Sequence, residues 1–381
     1  MRICVVYDCL FPYTVGGAER WYRNLGERLA AEGHEVTYLT LRQWPRGQRG
    51  EVAGVRVVTA GPRMELYAEG GRRRILPPLA FGAGVLWHLL RHGGRYHVVH
   101  TASFPYFSLL AAALVRPLRR FRLVVDWHEL WSRDYWLEYL GPVGGRIGLA
   151  VQSLCLRVPQ RAFCFSQLHA RRLRESGVNG ELAVLEGEYA GSLEPHDPVP
   201  AEPVVVFAGR HIPEKRVPAL VPALALARER IPELRGEIYG DGPERGEVVR
   251  LRSESGLDGA LEVHGFVAAE RVEQALRCAL CMVLPSRREG YGMVVVEAAA
   301  LGTPSVVVAG PDNAAVDLVH DGENGFVAAS DSPEDLAAAI ERVHAGGHAL
   351  RERTAAWFRA NARRLSLESS LESVVDVYAR R

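Results

Sequence analysis

Short, mainly apolar runs rich in valine recur along this chain, with stretches of helical periodicity between them. ICVVY (Ile3–Tyr7), VTYLTL (Val36–Leu41), VRVVTA, HVVHTA, RLVVDW and RAFCFS occupy the first half. Runs that do not alternate polar with apolar suit strands buried on both faces, and helices between them call for a parallel sheet. After the first run, Ala18, Trp21, Tyr22, Leu25 and Leu29 share one helical face, and Gly33 is placed to stop that helix. The rhythm fails at AGSLEPHDPVPAEP (Ala190–Pro203), where four prolines mark a linker. It then restarts with VVVFA, GEIYG, LEVHG, LCMVLPS and PSVVVA. A length of 381 residues is enough for two or three domains. The expected organisation is α/β: two doubly wound, Rossmann-like parallel-sheet domains at 1–190 and 204–365, joined by a linker at 191–203. Such sheets bind ligands beyond their strand C-termini, so the two domains are expected to face each other across a cleft. Leu367, Leu371, Val374, Val375 and Tyr378 give residues 366–381 an amphipathic helical pattern.

Composition excludes several classes. The net charge of +1 argues against a nucleic-acid partner, but it hides an asymmetry. Residues 1–195 hold 25 arginines against 17 carboxylates (+8), whereas residues 196–381 hold 21 basic residues against 28 carboxylates (−7). The six scattered cysteines, four of them in or beside apolar runs, suggest reduced thiols and a cytoplasmic location. Cys278 and Cys281 form a CxxC without a second pair or histidines at ligand spacing, which favours core packing over zinc. Met1 and Arg2 lead directly into ICVVY with no cleavable apolar region, so no signal peptide is expected. The most apolar long stretch, Ile75 to Leu90, has 16 residues and contains Pro77-Pro78, too short and too broken to span a bilayer.

Chemistry concentrates in three loops that each follow a strand of the second half. GRHIPEKR (Gly209–Arg216) carries Arg210 and Lys215, the single lysine of the chain against 45 arginines. GDGPER (Gly240–Arg245) offers Gly240 and Gly242 for close backbone approach to a ligand. PSRREGYGMVVVEAAALG (Pro285–Gly302) brackets Tyr291 between Gly290 and Gly292 just before a helix. A glycine turn feeding a helix N-terminus supplies unpaired N–H groups and the positive end of the helix dipole, which together attract anions. Glu289 precedes that turn and Glu297 follows eight residues later. Carboxylates there would repel phosphates but accept hydrogen bonds from neutral hydroxyls, as at the two ends of a nucleotide-sugar. Lysine is a compact charge on a flexible stem, and arginine a broad planar fork, so a narrow diphosphate slot can hold one of each. The alternative for Lys215 is a solvated charge in a surface loop.

Taken together these segments resemble a known family. EGYGMVVVE (Glu289–Glu297) is similar to the E-x7-E signature of retaining GT-B glycosyltransferases. GGAERWYRNLGERLAAEGHEVTYLT (Gly16–Thr40), FAGRHIPEKR, GDGP, HGFV and GTPSVVVAGPDNAAVDLVHDGENGFV (Gly302–Val327) resemble glycosyltransferase family 4 in the same order. The resemblance covers nearly the whole chain. It implies a GT-B architecture with the C-terminal helix returning to the N-terminal domain, and a hexosyl group moved with retention from a UDP- or GDP-linked sugar to a hydroxyl. In that scheme Arg210 and Lys215 hold the donor diphosphate and Glu297 binds the ribose. Glu289 touches the donor sugar, with the backbone N–H groups of Tyr291 and Gly292 and the adjoining Met293 lining the donor site. Gly16 and Gly17 approach the reacting phosphate and sugar, and His128 of DWHELW lies near the sugar. His128 has a second reading as a cap on the strand RLVVDW. Glu186 stands where the family shows asparagine, and Asp126-Trp127 is individual to this chain; both bear on the acceptor. No metal and no cofactor are implied, the nucleotide-sugar being a substrate, and no D-x-D follows a strand.

The acceptor, a glycan, lipid-linked or small-molecule hydroxyl, is expected to meet the basic first half. RRRILPPLAFGAGVLWHLLRH (Arg72–His92) has two readings: a segment from Arg72 to Leu90 that lies on an anionic membrane at the inner face, or a helix packed on the first sheet beside a solvated arginine run. Other functions remain open: a nucleotide-sugar epimerase of the same fold, or a non-catalytic carbohydrate or nucleotide-sugar binding protein. A dehydrogenase would want G-x-G-x-x-G after the first strand, where DCLFPYTVGG stands. A pyridoxal-phosphate phosphorylase would have to use Lys215, which is in the wrong kind of loop.

Overall fold

The computed structural model describes residues 1–66 and 73–379. Its described residues form two compact units, one built from 1–66, 73–185 and 370–379 and the other from 186–369.

In the first unit the apolar runs become β1 (Arg2–Val6), β2 (Glu35–Thr40), β3 (Arg56–Thr59), β4 (Val98–Ala102), β5 (Arg122–Trp127) and β6 (Gln160–Cys164), with β7 (Gly180–Val184) added at one edge. They pair in the order β3-β2-β1-β4-β5-β6-β7, all parallel. The helices are α1 (Gly17–Ala31), α2 (Leu76–His92), α3 (Tyr106–Arg119), α4 (Arg133–Arg157) and α5 (Gln167–Glu175). Helix α1 buries Trp21, Tyr22, Leu25 and Leu29, as its spacing predicts, and Gly33 follows its end at φ 81°. Fully burying side chains of this size contributes about 1.5–3 kcal/mol each. Right-handed crossovers put the helices of leftward connections on one sheet face and those of rightward connections on the other. By that rule α2, α3 and α4 cover the face opposite α1, and α2 packs on α3 and α3 on α4.

Helix α2 is packed in the first unit, as one of the two sequence readings of its segment expects, but its prolines do not break it. Pro77 and Pro78 occupy its first turn, where a missing N–H costs nothing, so they start the helix and do not break it. Phe81, Val85 and Leu89 are buried on one face, while Leu76, Leu79, Trp87 and Leu90 are exposed on the other. Arg72, the start of the suggested membrane segment, lies outside the described residues. Among the described residues no helix is long and apolar enough to cross a membrane.

The second unit holds β8 (Val204–Ala208), β9 (Arg235–Tyr239), β10 (Leu261–Val263), β11 (Cys281–Leu284), β12 (Arg288–Glu289), β13 (Ser305–Val308), β14 (Asp312–Asn313) and β15 (Gly325–Ala328). Six of them form a parallel sheet in the order β10-β9-β8-β11-β13-β15, and β12 pairs with β14 in a two-residue ladder beside it. Helices α6 (Leu220–Ala227), α7 (Arg245–Glu254), α8 (Ala269–Cys278), α9 (Met293–Ala300) and α10 (Pro333–Leu365) surround it. Arg351 of α10 is buried and donates to the carbonyls of Arg277 (2.6 Å) and Ala279 (2.5 Å), at the C-terminus of α8. All six cysteines are free, and Cys281 lies buried in β11.

The last helix, α11 (Leu367–Ala379), buries Leu371, Val374 and Tyr378, with residues from Ser370 onward in the first unit. There the Tyr378 hydroxyl pairs with His100 Nδ1, and Arg161 donates to the Val377 carbonyl at 3.0 Å.

Candidate functional site

Strand order decides where a parallel sheet opens. In the second unit the chain runs from β8 outward to β10, then returns to β11 beside β8 and runs outward the other way. Connections on the two sides cover opposite faces, which leaves a crevice at the C-terminal ends of β8 and β11. The loops after those two strands are GRHIPEKR and PSRREGYG. The Arg287 N–H binds the Glu214 carbonyl at 3.0 Å, which ties the two loops together.

At that seam the Lys215 ammonium meets the Glu289 carboxylate in an ion pair between residues 74 positions apart. Glu289 is 7% exposed, and its Oε1 also accepts from the Ser286 hydroxyl at 2.7 Å. Asn313 braces the loop from below: its amide donates to the carbonyls of Ser286 (3.0 Å) and Val308 (2.8 Å), and its Oδ1 accepts from the Ala315 N–H. Ser286 and Asn313 escaped the sequence reading. The one signal for Asn313 is the turn dipeptide Asp312-Asn313 before a helical stretch, typical of a residue whose side chain caps its own backbone.

Gly292 stands at φ 103° as the N-cap of α9, a conformation side chains resist. A Cβ there would lie 2.6 Å from the Ala315 Cβ, so both backbone and space call for glycine. No side chain caps α9. The N–H groups of Met293 and Val294 have no acceptor within the helix, leaving the positive end of the dipole bare beside the Lys215–Glu289 pair. Tyr291 is buried, and its hydroxyl donates to the Glu186 carbonyl at 2.6 Å, while the Glu186 carboxylate pairs with Arg364 at 2.9 Å. Glu297 lies one turn along α9, half-buried. Burial, then the charges of Glu297 and Glu273, push the Tyr189 hydroxyl up to about 12, which places Tyr189 in the electrostatic reach of Glu297.

Arg210 is exposed and makes no hydrogen bond or ion pair among the described residues. Its neighbour His211 is fully buried with neither ring nitrogen partnered; burial lowers its pKa, against the pull of Asp241. The GDGPER loop is held against this segment by the His211 N–H to the Asp241 carbonyl (2.9 Å) and the Glu244 N–H to the His211 carbonyl (2.9 Å). Gly240 at φ 121° has room for no side chain, since a Cβ would lie 1.9 Å from the Gly209 carbonyl oxygen. Gly242 is similarly pressed on the His211 carbonyl, at 2.5 Å. In this unit Arg210, Lys215, Gly240, Gly242, Glu289, Tyr291, Gly292, Met293 and Glu297 thus all lie in, or lead directly out of, loops at one sheet edge.

Gly16, Gly17 and His128 belong to the first unit, at the C-terminal edge of its own sheet. Gly16 caps α1 in extended conformation, and a Cβ there would strike the Glu19 carboxylate at 2.3 Å. Gly17 opens α1. His128 follows β5, stacked on Phe165 (4.4 Å between ring centres) and edge-on to Tyr22. Burial pushes its pKa down to about 4; Asp126 opposes the shift and His100 adds to it. Neither ring nitrogen makes a hydrogen bond among the described residues, so His128 does not cap β5. Asp126 accepts from Trp21 Nε1 (2.8 Å) and faces His100 Nε2 (2.7 Å). Burial raises its pKa, but His100 and these bonds outweigh it and hold it below the usual carboxylate value.

The comparisons agree with this anatomy. Residues 16–186 match the family described as glycosyl transferase 4-like domain, and residues 202–345 match glycosyl transferases group 1. A D-inositol 3-phosphate glycosyltransferase of Nocardioides sp. is 36% identical over 192 residues, covering 46% of this chain and 41% of that protein. An alpha-D-kanosaminyltransferase of Streptomyces kanamyceticus is 32% identical over 141 residues, covering 37% and 36%. The chain spans about two fifths of the length of the curated relatives it matches. Among solved structures, sucrose-phosphate synthase from Thermosynechococcus elongatus superposes with a TM-score of 0.80 at 22% identity, covering 99% of this chain and 98% of that one. Anabaena HepE, solved with UDP and glucose, gives 0.74 at 18% identity over 100% of both chains. At these identities the likeness shows the fold.

Proposed function

We propose that this chain, which belongs to the glycosyltransferases of GT-B architecture and resembles family 4, transfers a hexosyl group from a nucleoside-diphosphate sugar to an acceptor hydroxyl with retention of anomeric configuration. One observation carries the reading: Lys215, Glu289 and the uncapped N-terminus of α9 meet at the crevice between β8 and β11. The hard step is departure of a diphosphate as positive charge grows on the sugar. Arg210, Lys215 and the α9 N–H groups answer the first charge, as preorganised electrostatic stabilisation. Glu289 answers the second and orients the sugar hydroxyls. Glu297 takes the ribose hydroxyls.

In the structure Lys215 pairs with Glu289. Donor binding then exchanges partners: the ammonium turns to the diphosphate and the carboxylate to the sugar. The bond from the anomeric carbon to the diphosphate oxygen breaks, the acceptor oxygen bonds on the same face, and the acceptor proton passes to the departing diphosphate. Two cations and a helix terminus supply the charge a divalent metal would otherwise bring, so the reaction is expected to proceed without one. UDP-linked sugars are the first donors to try, since Anabaena HepE of the same fold was solved with UDP and glucose.

The test is a thermal-shift screen against UDP- and GDP-sugars, then NMR assignment of the product anomer with chelator present. Stabilisation by one nucleotide-sugar and its nucleoside diphosphate, lost in Lys215→Ala and Glu297→Ala, is the expected result. Variants that bind as tightly as the parent would overturn the site, an inverted anomer the stereochemistry, and loss of turnover in chelator the metal independence.

A further inference from the structure

Helices α2, α3 and α4 cover one face of the first sheet, and their side facing away from it is apolar. Trp87 (62% exposed) and Leu90 on α2, Leu114 (71%) and Leu118 (67%) on α3, and Val143 (71%) and Ile147 (60%) on α4 all point to solvent. Single exposed leucines are ordinary, but six large apolar side chains on three adjacent helices form a patch that a water-facing surface rarely carries. The residues on each helix are three or four positions apart, so each helix presents an exposed apolar pair, and the helices pack in the order α2, α3, α4. Gly141, at φ 74°, kinks α4, and its exposed pair begins at Val143.

Charge identifies the occupant. Segments 76–92, 106–119 and, past the kink of α4, 142–157 contain five arginines and not one Asp or Glu, while the two carboxylates of α4, Asp134 and Glu138, precede that kink. A second copy would bring the same five charges against them, so self-association through this face is opposed. An anionic lipid surface is complementary in both respects, offering acyl chains to the apolar pairs and phosphates to the arginines. The Arg91 guanidinium lies 4.8 Å from the centre of the Trp87 ring, and such an aromatic–cation pair suits the boundary between headgroups and acyl chains.

We propose that the α2–α3–α4 face is a membrane-docking surface that seats this unit on an anionic bilayer without crossing it. The idea does not depend on the donor-site reading, because the face and the donor loops lie in different units. The experiment is co-sedimentation of the full chain with phosphatidylcholine vesicles, pure or doped with phosphatidylglycerol. Binding is expected to the doped vesicles and to weaken as salt is raised. Trp87→Glu with Ile147→Glu should lower partitioning at least about tenfold. Arg91→Gln and Arg146→Gln, both at exposed positions, should each lower it about fivefold. Unchanged nucleoside-diphosphate binding in the same variants shows that the fold and donor site persist. Should the glutamate variant fail to fold, the arginine variants and the salt dependence carry the test alone. The proposal is overturned if the parent ignores doped vesicles, or if no variant changes partitioning. A concentration-dependent dimer dissolved by Trp87→Glu, in a protein that ignores lipid, would assign the face to a second copy instead.

Discussion

Replacing Glu289 with Gln and Lys215 with Ala should move nucleotide binding in opposite directions. Lys215 and Glu289 form a largely buried pair, with 19% and 8% of their side chains exposed. A charged hydrogen bond contributes about 1.5–3 kcal/mol. Removing the ammonium therefore weakens nucleoside-diphosphate binding by about one to two decades. It also leaves the Glu289 carboxylate with Ser286 as its hydrogen-bond partner among the described residues, which costs the fold about 1–3 kcal/mol. Glu289→Gln keeps the shape and the Ser286 bond but releases Lys215 from its competing anion. If the competing pair is worth about 1 kcal/mol, nucleoside diphosphate binds roughly fivefold more tightly, while sugar transfer collapses. Isothermal titration of UDP and GDP, alongside turnover of the matching sugar, reads both effects. A Glu289→Gln variant that loses diphosphate affinity as Lys215→Ala does would refute the partner exchange, since Glu289 would then be holding the diphosphate site together and not competing for it.

Other outcomes follow from the same geometry. Gly240→Ala meets both the Gly209 carbonyl and a φ of 121°, and should cost about 2–4 kcal/mol in denaturant unfolding, more than an alanine at the roomy Gly246. Arg351→Leu removes the donor from the buried Ala279 carbonyl and the half-buried Arg277 carbonyl at the end of α8 and should lose about 2–4 kcal/mol by the same measurement. His128 is held neutral in the fold down to about pH 4, whereas an unfolded histidine takes a proton near 6.5. The unfolded state thus binds more protons between those values, so stability present above pH 6.5 falls as pH drops through the window, by about 1–3 kcal/mol. His128→Asn should flatten that part of the unfolding-versus-pH curve, and an unchanged slope would refute the assignment.

Most strands that were plain in the sequence are buried on both faces, where apolar residues dominate and the few polar ones, such as His100 and Asp126, are paired. Three kinds of element were not plain. β7, GELAV at a sheet edge, is mostly exposed and so free of that constraint, and its glycine weakens the pattern further. β12 and β14 are two residues each, too short for any periodicity. β15 follows the turn residues of DGEN and shows three apolar residues only. Helix α2 was legible as a packed helix but not in how much of it is covered, because an apolar helix with one buried and one exposed side has nearly the composition of a buried one. At the site, the loops and glycines were legible because backbone conformation restricts residue type locally. The Lys215–Glu289 contact was not, and neither was the His100 link to Tyr378, 278 positions away.

By itself, then, the order of residues determined two parallel α/β halves, the loops that follow their strands, and the residue types available there, because buried strands, helix faces and strained turns each impose a rule on a few consecutive positions. It was strand order that put β8 against β11 and set Lys215 beside Glu289 at the opening between them. Packing of three helices likewise gathered three leucines, a valine, an isoleucine and a tryptophan onto one arginine-bearing face. Both depend on which distant segments become neighbours, and that is settled by the burial of whole surfaces, not by any local rule.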